Sequence, residues 1–225
     1  MRDHSRVLPY LLLLLTVVAG AVDAVSFLAL GHVFVVNMTG NIVFVGFAAA
    51  GVTEISLTAT VTAIGAFLVG SVIGGRLARR FTDERLLSLA AAVKIVLIAA
   101  ALVVVVIVHG SMVAGPREAV IALLALAMGV QNASARRIGI PDLTTTVLTM
   151  TLTALAADST PAGGTNPRWI WRALAVGAML VGAFAGGFCI LHAGIATALV
   201  LVLALLTVTA VLGQVAFRPP STAAG

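Results

Sequence analysis

Eight apolar runs succeed one another along this chain, at 9–30, 33–51, 55–76, 86–108, 118–134, 141–157, 169–191 and 194–216. A helix needs roughly 20 apolar residues to cross the hydrocarbon of a bilayer. Runs of that length fill the 225 residues and leave no stretch for a soluble domain beside them. The composition agrees: 61% of residues are hydrophobic and 9% charged, with a mean hydropathy of +1.17. Soluble domains sit near ~45–50% apolar and ~25% charged. The sequence therefore specifies an all-α polytopic membrane protein.

The basic balance, 13 Lys and Arg against 8 Asp and Glu, would suggest nucleic acid in a soluble chain. Here every base but Lys94 is Arg, and the Arg residues cluster between apolar runs, which is how topology is written. No nucleic-acid partner is expected. Cys189 stands alone in an apolar run, so neither a disulfide nor a cysteine metal site is expected. The start, Met1 to Arg6 followed by Leu11 to Leu15, imitates a signal peptide with Val22-Asp23-Ala24 as a weak cleavage site. The apolar run outlasts an h-region, which favours a retained first span.

Two of the eight runs are unusual. The run 33–51 holds Asn37-Met38-Thr39-Gly40-Asn41, and 141–157 holds Thr144, Thr145, Thr146, Thr149, Thr151 and Thr153. Polar groups at membrane depth are costly unless they face protein or water. The two runs occupy matching places in an internal repeat. Gly20-Ala21-Val22-Asp23-Ala24 aligns with Gly129-Val130-Gln131-Asn132-Ala133, and Thr39-Gly40-Asn41 with Thr149-Met150-Thr151. Gly65, Gly70, Gly74 and Gly75 align with Gly177, Gly182, Gly186 and Gly187. Order and spacing recur together, giving a first membrane repeat over 1–109 and a second over 110–225.

The Arg residues choose between two topologies. If all eight runs cross, Arg2, Arg6, Arg117, Arg168, Arg172 and Arg218 face one side, and Arg76, Arg79, Arg80, Arg85, Arg136 and Arg137 the other. Six against six violates the positive-inside tendency. If 33–51 and 141–157 are re-entrant, six helices cross and only Arg117 is left opposite the other eleven. Both termini are then cytoplasmic. Each half makes three crossings, so the halves have inverted topology and the broken segments enter from opposite faces. Eight spanning helices remain the alternative, because 33–51 is apolar enough to cross.

Residues 20–28 (Gly-Ala-Val-Asp-Ala-Val-Ser-Phe-Leu), Asn37-Met38-Thr39-Gly40-Asn41 and Gln131-Asn132-Ala133 with Pro141-Asp142-Leu143-Thr144-Thr145-Thr146 resemble the YoaK family. These are bacterial integral membrane proteins with a domain of unknown function. The resemblance covers nearly the whole chain and implies about six spans, a bacterial inner-membrane location and a supposed role in moving small molecules. The family often has Thr-Gly where this chain has Thr149-Met150, so a close-approach role for Gly40 does not carry over to Met150.

The expected solute or ion pathway comprises Asp23, Asn37, Thr39, Gly40, Asn41, Gln131, Asn132, Thr145, Thr146, Thr149 and Thr151. Asp23 lies two-thirds along the first run, where an acid serves as a cation or proton site or as a structural hydrogen-bonder. Lys94 is its candidate counter-charge, with snorkelling to the near surface as the alternative. The amides and hydroxyls of 37–41 suit a polar solute or merely satisfy a broken helix. The Thr residues line the opposite half or bond their own helix. The repeated glycines suit close helix packing. His32, His109 and His192 end apolar runs and read as interfacial rather than metal ligands.

The first functional expectation is thus a small polar solute or ion transporter or channel with a site near the midplane. The alternative is an accessory or sensor protein without transport. An intramembrane enzyme is disfavoured, because HExxH, GxSxG, GxGxxG and P-loop motifs are absent from the sequence. No cofactor or metal is expected; the bilayer is the partner, and a homo-oligomer is compatible.

Overall fold

The computed structural model describes residues 4–139 and 148–217. Within them the chain forms α1 (His4–Ala29), α2 (Met38–Ala49), α3 (Leu57–Arg80), α4 (Asp83–Ile107), α5 (Pro116–Ile138), α6 (Leu148–Ala157) and α7 (Trp169–Phe217), and no strand occurs among the described residues. Five stretches are long and apolar enough to cross a membrane: Val7–Ala29, Leu57–Arg80, Arg85–Ile107, Pro116–Ile138 and Trp169–Val215. The protein is a helical membrane protein.

The ends of these helices follow local chemistry. The Ser56 hydroxyl accepts the Ala59 N–H at 3.2 Å and caps α3. Pro116 opens α5, where its missing N–H costs nothing. Glu118 accepts the Gly115 N–H at 2.6 Å and pairs with Arg117 at 2.7 Å, placing an anion at the positive end of the α5 dipole. Arg136 and Arg137 occupy the opposite, negative end of α5, before Gly139 closes the helix in the left-handed region at φ 66°.

The last element differs from the expectation of two separate runs, 169–191 and 194–216. It is traced as one element of 49 residues with a non-helical break at Gly194 (φ 81°, ψ 175°). The chain doubles back there. Trp171 meets Tyr10 with ring centroids 5.4 Å apart, Gly186 lies against Ala21, and Gly213 has returned to the level of Leu11. Residues 169–193 therefore run parallel to α1 and 195–217 antiparallel to it.

Glycines set two close helix crossings, and the contacts at one match those at the other atom for atom. A Cβ on Gly20 would overlap the Met179 carbonyl oxygen and lie 2.8 Å from the Ala183 nitrogen; a Cβ on Gly129 would overlap the Phe67 carbonyl oxygen and lie 2.8 Å from the Ser71 nitrogen. A Cβ on Gly182 would overlap the Val17 carbonyl oxygen, and one on Gly70 the Leu126 carbonyl oxygen. Gly186 and Gly74 face Ala21 and Val130 in the same way. Thus α1 packs parallel to 169–193, and α5 parallel to α3, with backbones touching as small residues allow. Gly65 and Gly177, expected to share this role, have open space where a Cβ would be. They lie off the contact stripe.

The two remaining helices are short. With 12 residues, α2 reaches about 18 Å at 1.5 Å per residue, too little to cross ~30 Å of hydrocarbon, and α6 is described over 10 residues. The segment 30–56 leaves α1 and enters α3 at the end of the molecule holding Arg117, which faces Gly31. The other end carries the exposed Arg79, Arg80, Arg85, Arg136 and Arg137. The buried core runs through Val18, Val22, Val25, Ile98, Leu124, Met128, Leu199 and Leu206. Large exposed apolar side chains such as Leu68, Val72, Val96, Val103, Leu180 and Phe184 give the outer surface that lipid would contact.

Candidate functional site

The polar residues singled out from the sequence fall into two groups, one towards each end of the molecule. At the Arg117 end, the chain leaves α1, turns at Gly31 and His32, and descends beside it through Val33, Val35 and Val36, all buried. Its free backbone groups would be unsatisfied at this depth. Asp23 and Asn41 satisfy them. One carboxylate oxygen of Asp23 accepts the N–H groups of Val35 and Val36, at 3.0 and 2.9 Å, and the other accepts the Asn37 side-chain amide. Asn41 embraces Phe34, accepting its N–H at 2.9 Å and donating to its carbonyl at 2.6 Å. Asp23 lies six residues before the end of α1, about 9 Å below it, so the N-terminus of α2 begins within the span.

This group is occupied with its own backbone. Asp23 is 4% exposed and Asn41 0%. Thr39 is exposed on the outer side of α2. Gly40 faces the Phe34 ring, 2.9 Å from where its Cβ would be. Phe34 stacks between Phe27 and Phe44, at 5.0 and 5.7 Å between centroids.

The second group lies towards the Arg-rich end. Lys94 is 3% exposed, about 13 Å into its span from Arg85. It neither snorkels nor reaches Asp23: its ammonium donates to Gln131 Oε1 at 3.0 Å. The Gln131 amide donates in turn to the Leu15 carbonyl at 3.2 Å. Because that carbonyl only accepts, Nε2 must face it and Oε1 must face the ammonium. The pair floors a cavity of about 40 Å³, room for roughly three or four waters. Leu11, Leu12 and Leu15 of α1, Ala90 and Ala91 of α4, Ser134 and Ile138 of α5, and Leu206, Thr209 and Ala210 of α7 supply its walls. Exposed Ser88 and Gln214 stand where it nears the Arg-rich end.

Ser134 and Thr209 were missed by sequence reading. Both residues line the cavity, and both hydroxyls donate to their own helix, to Val130 and Leu205 at 2.8 and 2.7 Å, which leaves their oxygens only as acceptors. The spacing of Ser134, one helical turn after Gln131, was the available signal.

Of the remaining expected residues, Asn132 has a buried side-chain nitrogen with no partner among the described residues. Thr149 is exposed and Thr151 buried. Thr145 and Thr146 lie outside the described residues. The end of α6 is tied to α7 by Arg172, which donates to the Ala154 carbonyl at 3.0 Å and to Asp158 at 2.7 Å. No group of three or more His, Cys, Asp or Glu able to hold a metal occurs among the described residues.

Long apolar helices and buried polar groups define a polytopic helical membrane protein. Residues 11–212 match the family described as "Protein of unknown function (DUF1275)", and the chain belongs to it. It is similar to the UPF0700 transmembrane protein YoaK of Bacillus subtilis (strain 168), 34% identical over 155 residues covering 66% of this chain. The match spans 65% of that relative's length. No solved structure matches.

Proposed function

We propose that this protein is a transporter or channel for a small polar solute, built from two three-crossing halves of inverted topology. The observation that carries the reading is the cavity ending on the buried Lys94–Gln131 pair. A purely structural bundle has no need of a buried ammonium beside open volume, whose burial is costly.

The architecture supports it. Counting the two arms of α7 separately gives six crossings, with α2 and α6 as half-spans of the first and second halves. The matched glycine crossings, Gly20 on Gly182 and Gly129 on Gly70, are what an internal two-fold relating the halves would produce. The Arg distribution orients the assembly in a bacterial inner membrane with both chain ends and the Arg-rich face cytoplasmic. The cavity then opens from the cytoplasm, and its floor lies on the cytoplasmic side of the midplane. The reading includes no catalysis and no cofactor. A homo-oligomer would have to bury part of the lipid-facing surface.

The second reading, an accessory protein without transport, is favoured by one observation: Asp23 and Asn41 spend their hydrogen bonds on the broken backbone, and the Asn37 amide is spent on Asp23. Solute flux in liposomes containing only the purified protein separates the two. Flux above protein-free liposomes, abolished by filling the cavity with Ala210→Phe, supports transport. Its absence across neutral, cationic and anionic small solutes supports the accessory role.

A further inference from the structure

Lys94 has no counter-ion among the described residues. Its partner is a neutral amide oxygen, and the described residues that line the cavity include no Asp or Glu. An ammonium carries three donors. One is used by Gln131 and two remain beside the cavity. Gln131 cannot offer more, because its other end is committed to the Leu15 carbonyl. Ser134 and Thr209 give their hydroxyl protons to their own helices, so the attraction to an anion rests on Lys94, and Leu12, Leu15, Ala90, Ala91, Leu206 and Ala210 make the rest of the lining apolar. A single charge on a polar floor under apolar walls is complementary to a single negative charge on an apolar body. A dianion such as phosphate would leave one charge uncompensated in an apolar site. The exposed Arg136 and Arg137 sit beside Ile138 at the end of α5, where their field raises the local concentration of anions.

We propose that this cavity binds a small monocarboxylate, its carboxylate paired with Lys94 and its short alkyl tail against the α1, α4 and α7 walls. By the same water-sized measure the volume holds about three or four heavy atoms, so the carboxylate group and the first carbon of the tail fill it and the rest of a short chain lies towards its open end. The proposal names the substrate class of the transport reading and rests on it for its physiological meaning; binding itself does not require flux. Carboxylate and inorganic anion share the attraction to Lys94, and the apolar walls distinguish them.

The test is binding to the purified, detergent-solubilised full chain, by calorimetry and by the shift of its unfolding midpoint. The probes are sodium propionate, sodium chloride and sodium phosphate at equal ionic strength, and neutral propionamide. Propionate is expected to bind saturably and raise the midpoint, with propionamide, chloride and phosphate at least tenfold weaker. Lys94→Met keeps the length of the side chain and removes the charge, so it is expected to fold and lose propionate binding at least tenfold. Ala210→Phe, which leaves Lys94 in place and fills the cavity, is expected to lose it as well. Propionate binding that survives in folded Lys94→Met overturns the proposal, as does wild-type protein that folds cooperatively and shows no preference for propionate.

Flux then separates this proposal from the transport reading. Propionate that binds through Lys94 but does not cross liposomes retains the site and removes transport. Flux of a neutral solute that Lys94→Met leaves unchanged retains transport and removes the carboxylate site.

Discussion

Asp23 and Lys94 are both charged, both buried and both carried by membrane-crossing helices, yet their surroundings differ in kind. The Asp23 carboxylate receives three donors, two of them backbone N–H groups that a broken helix leaves unpaired. The Lys94 ammonium is given one neutral acceptor and an adjoining cavity. Depth alone made both look functional, since intramembrane charges default to that reading. Hydrogen-bond accounting separates them: the capacity of Asp23 is spent on its own fold, and Lys94 keeps unspent capacity beside open volume, where the proposed ligand would use it.

The comparison assumes that the two groups lie towards opposite faces, and the largest expected effect tests this. In a Cys189→Ala background, an impermeant thiol reagent added to intact cells should label Ser111→Cys and leave Ser88→Cys and Ser159→Cys unlabelled until the membrane is opened. Labelling at 159 from outside would restore eight spans and remove the inverted halves. Next in size is the loss of the Asp23 anchor. Asp23→Ala leaves three donors without acceptors at about 1–3 kcal/mol each, and folded protein should be lost. Asp23→Asn keeps an oxygen for Val35 and Val36 and sets an amide N–H against the Asn37 side chain, which must turn its own oxygen round to accept it; the loss is about 1 kcal/mol for each of the three bonds. Its midpoint should fall while flux per folded molecule stays the same.

Smaller effects follow from the glycine crossings. Gly70→Ala and Gly182→Ala should each destabilise by about 1–3 kcal/mol, as overpacking does, and by equal amounts if the halves are equivalent. Gly65→Ala and Gly177→Ala meet open space and should be neutral or slightly stabilising, since alanine favours helix over glycine by up to ~1 kcal/mol. Unequal effects at 70 and 182 would break the internal symmetry.

Much of this architecture is legible in the chain because lipid imposes a coarse requirement. Long apolar runs announce helices, and Asn37 and Asn41 within such a run announce a break. The glycine spacing also announced the helix crossings, but it could not separate Gly70 from Gly65, because which face of α3 meets α5 is a tertiary fact. Asp23 was visible as costly, whereas its partners Val35 and Val36 are apolar residues whose backbone alone takes part, and backbone donors leave no mark in a sequence. Lys94 was visible too, but its match to Gln131 depends on the register of two helices 37 residues apart. Thr209 was hidden for the same reason: it reaches the cavity only because the chain reverses at Gly194.

The most direct measurement of the contrast between the two buried charges places Asp23→Asn and Lys94→Met side by side, recording the unfolding midpoint and the propionate affinity of each. Asp23→Asn is expected to melt earlier and bind propionate as the wild type does. Lys94→Met is expected to keep its midpoint or raise it, as removal of a poorly compensated buried charge does, and to lose propionate at least tenfold. The contradicting result is the reverse pattern: an Asp23→Asn protein of wild-type stability that no longer binds, or a Lys94→Met protein that is destabilised and binds unchanged.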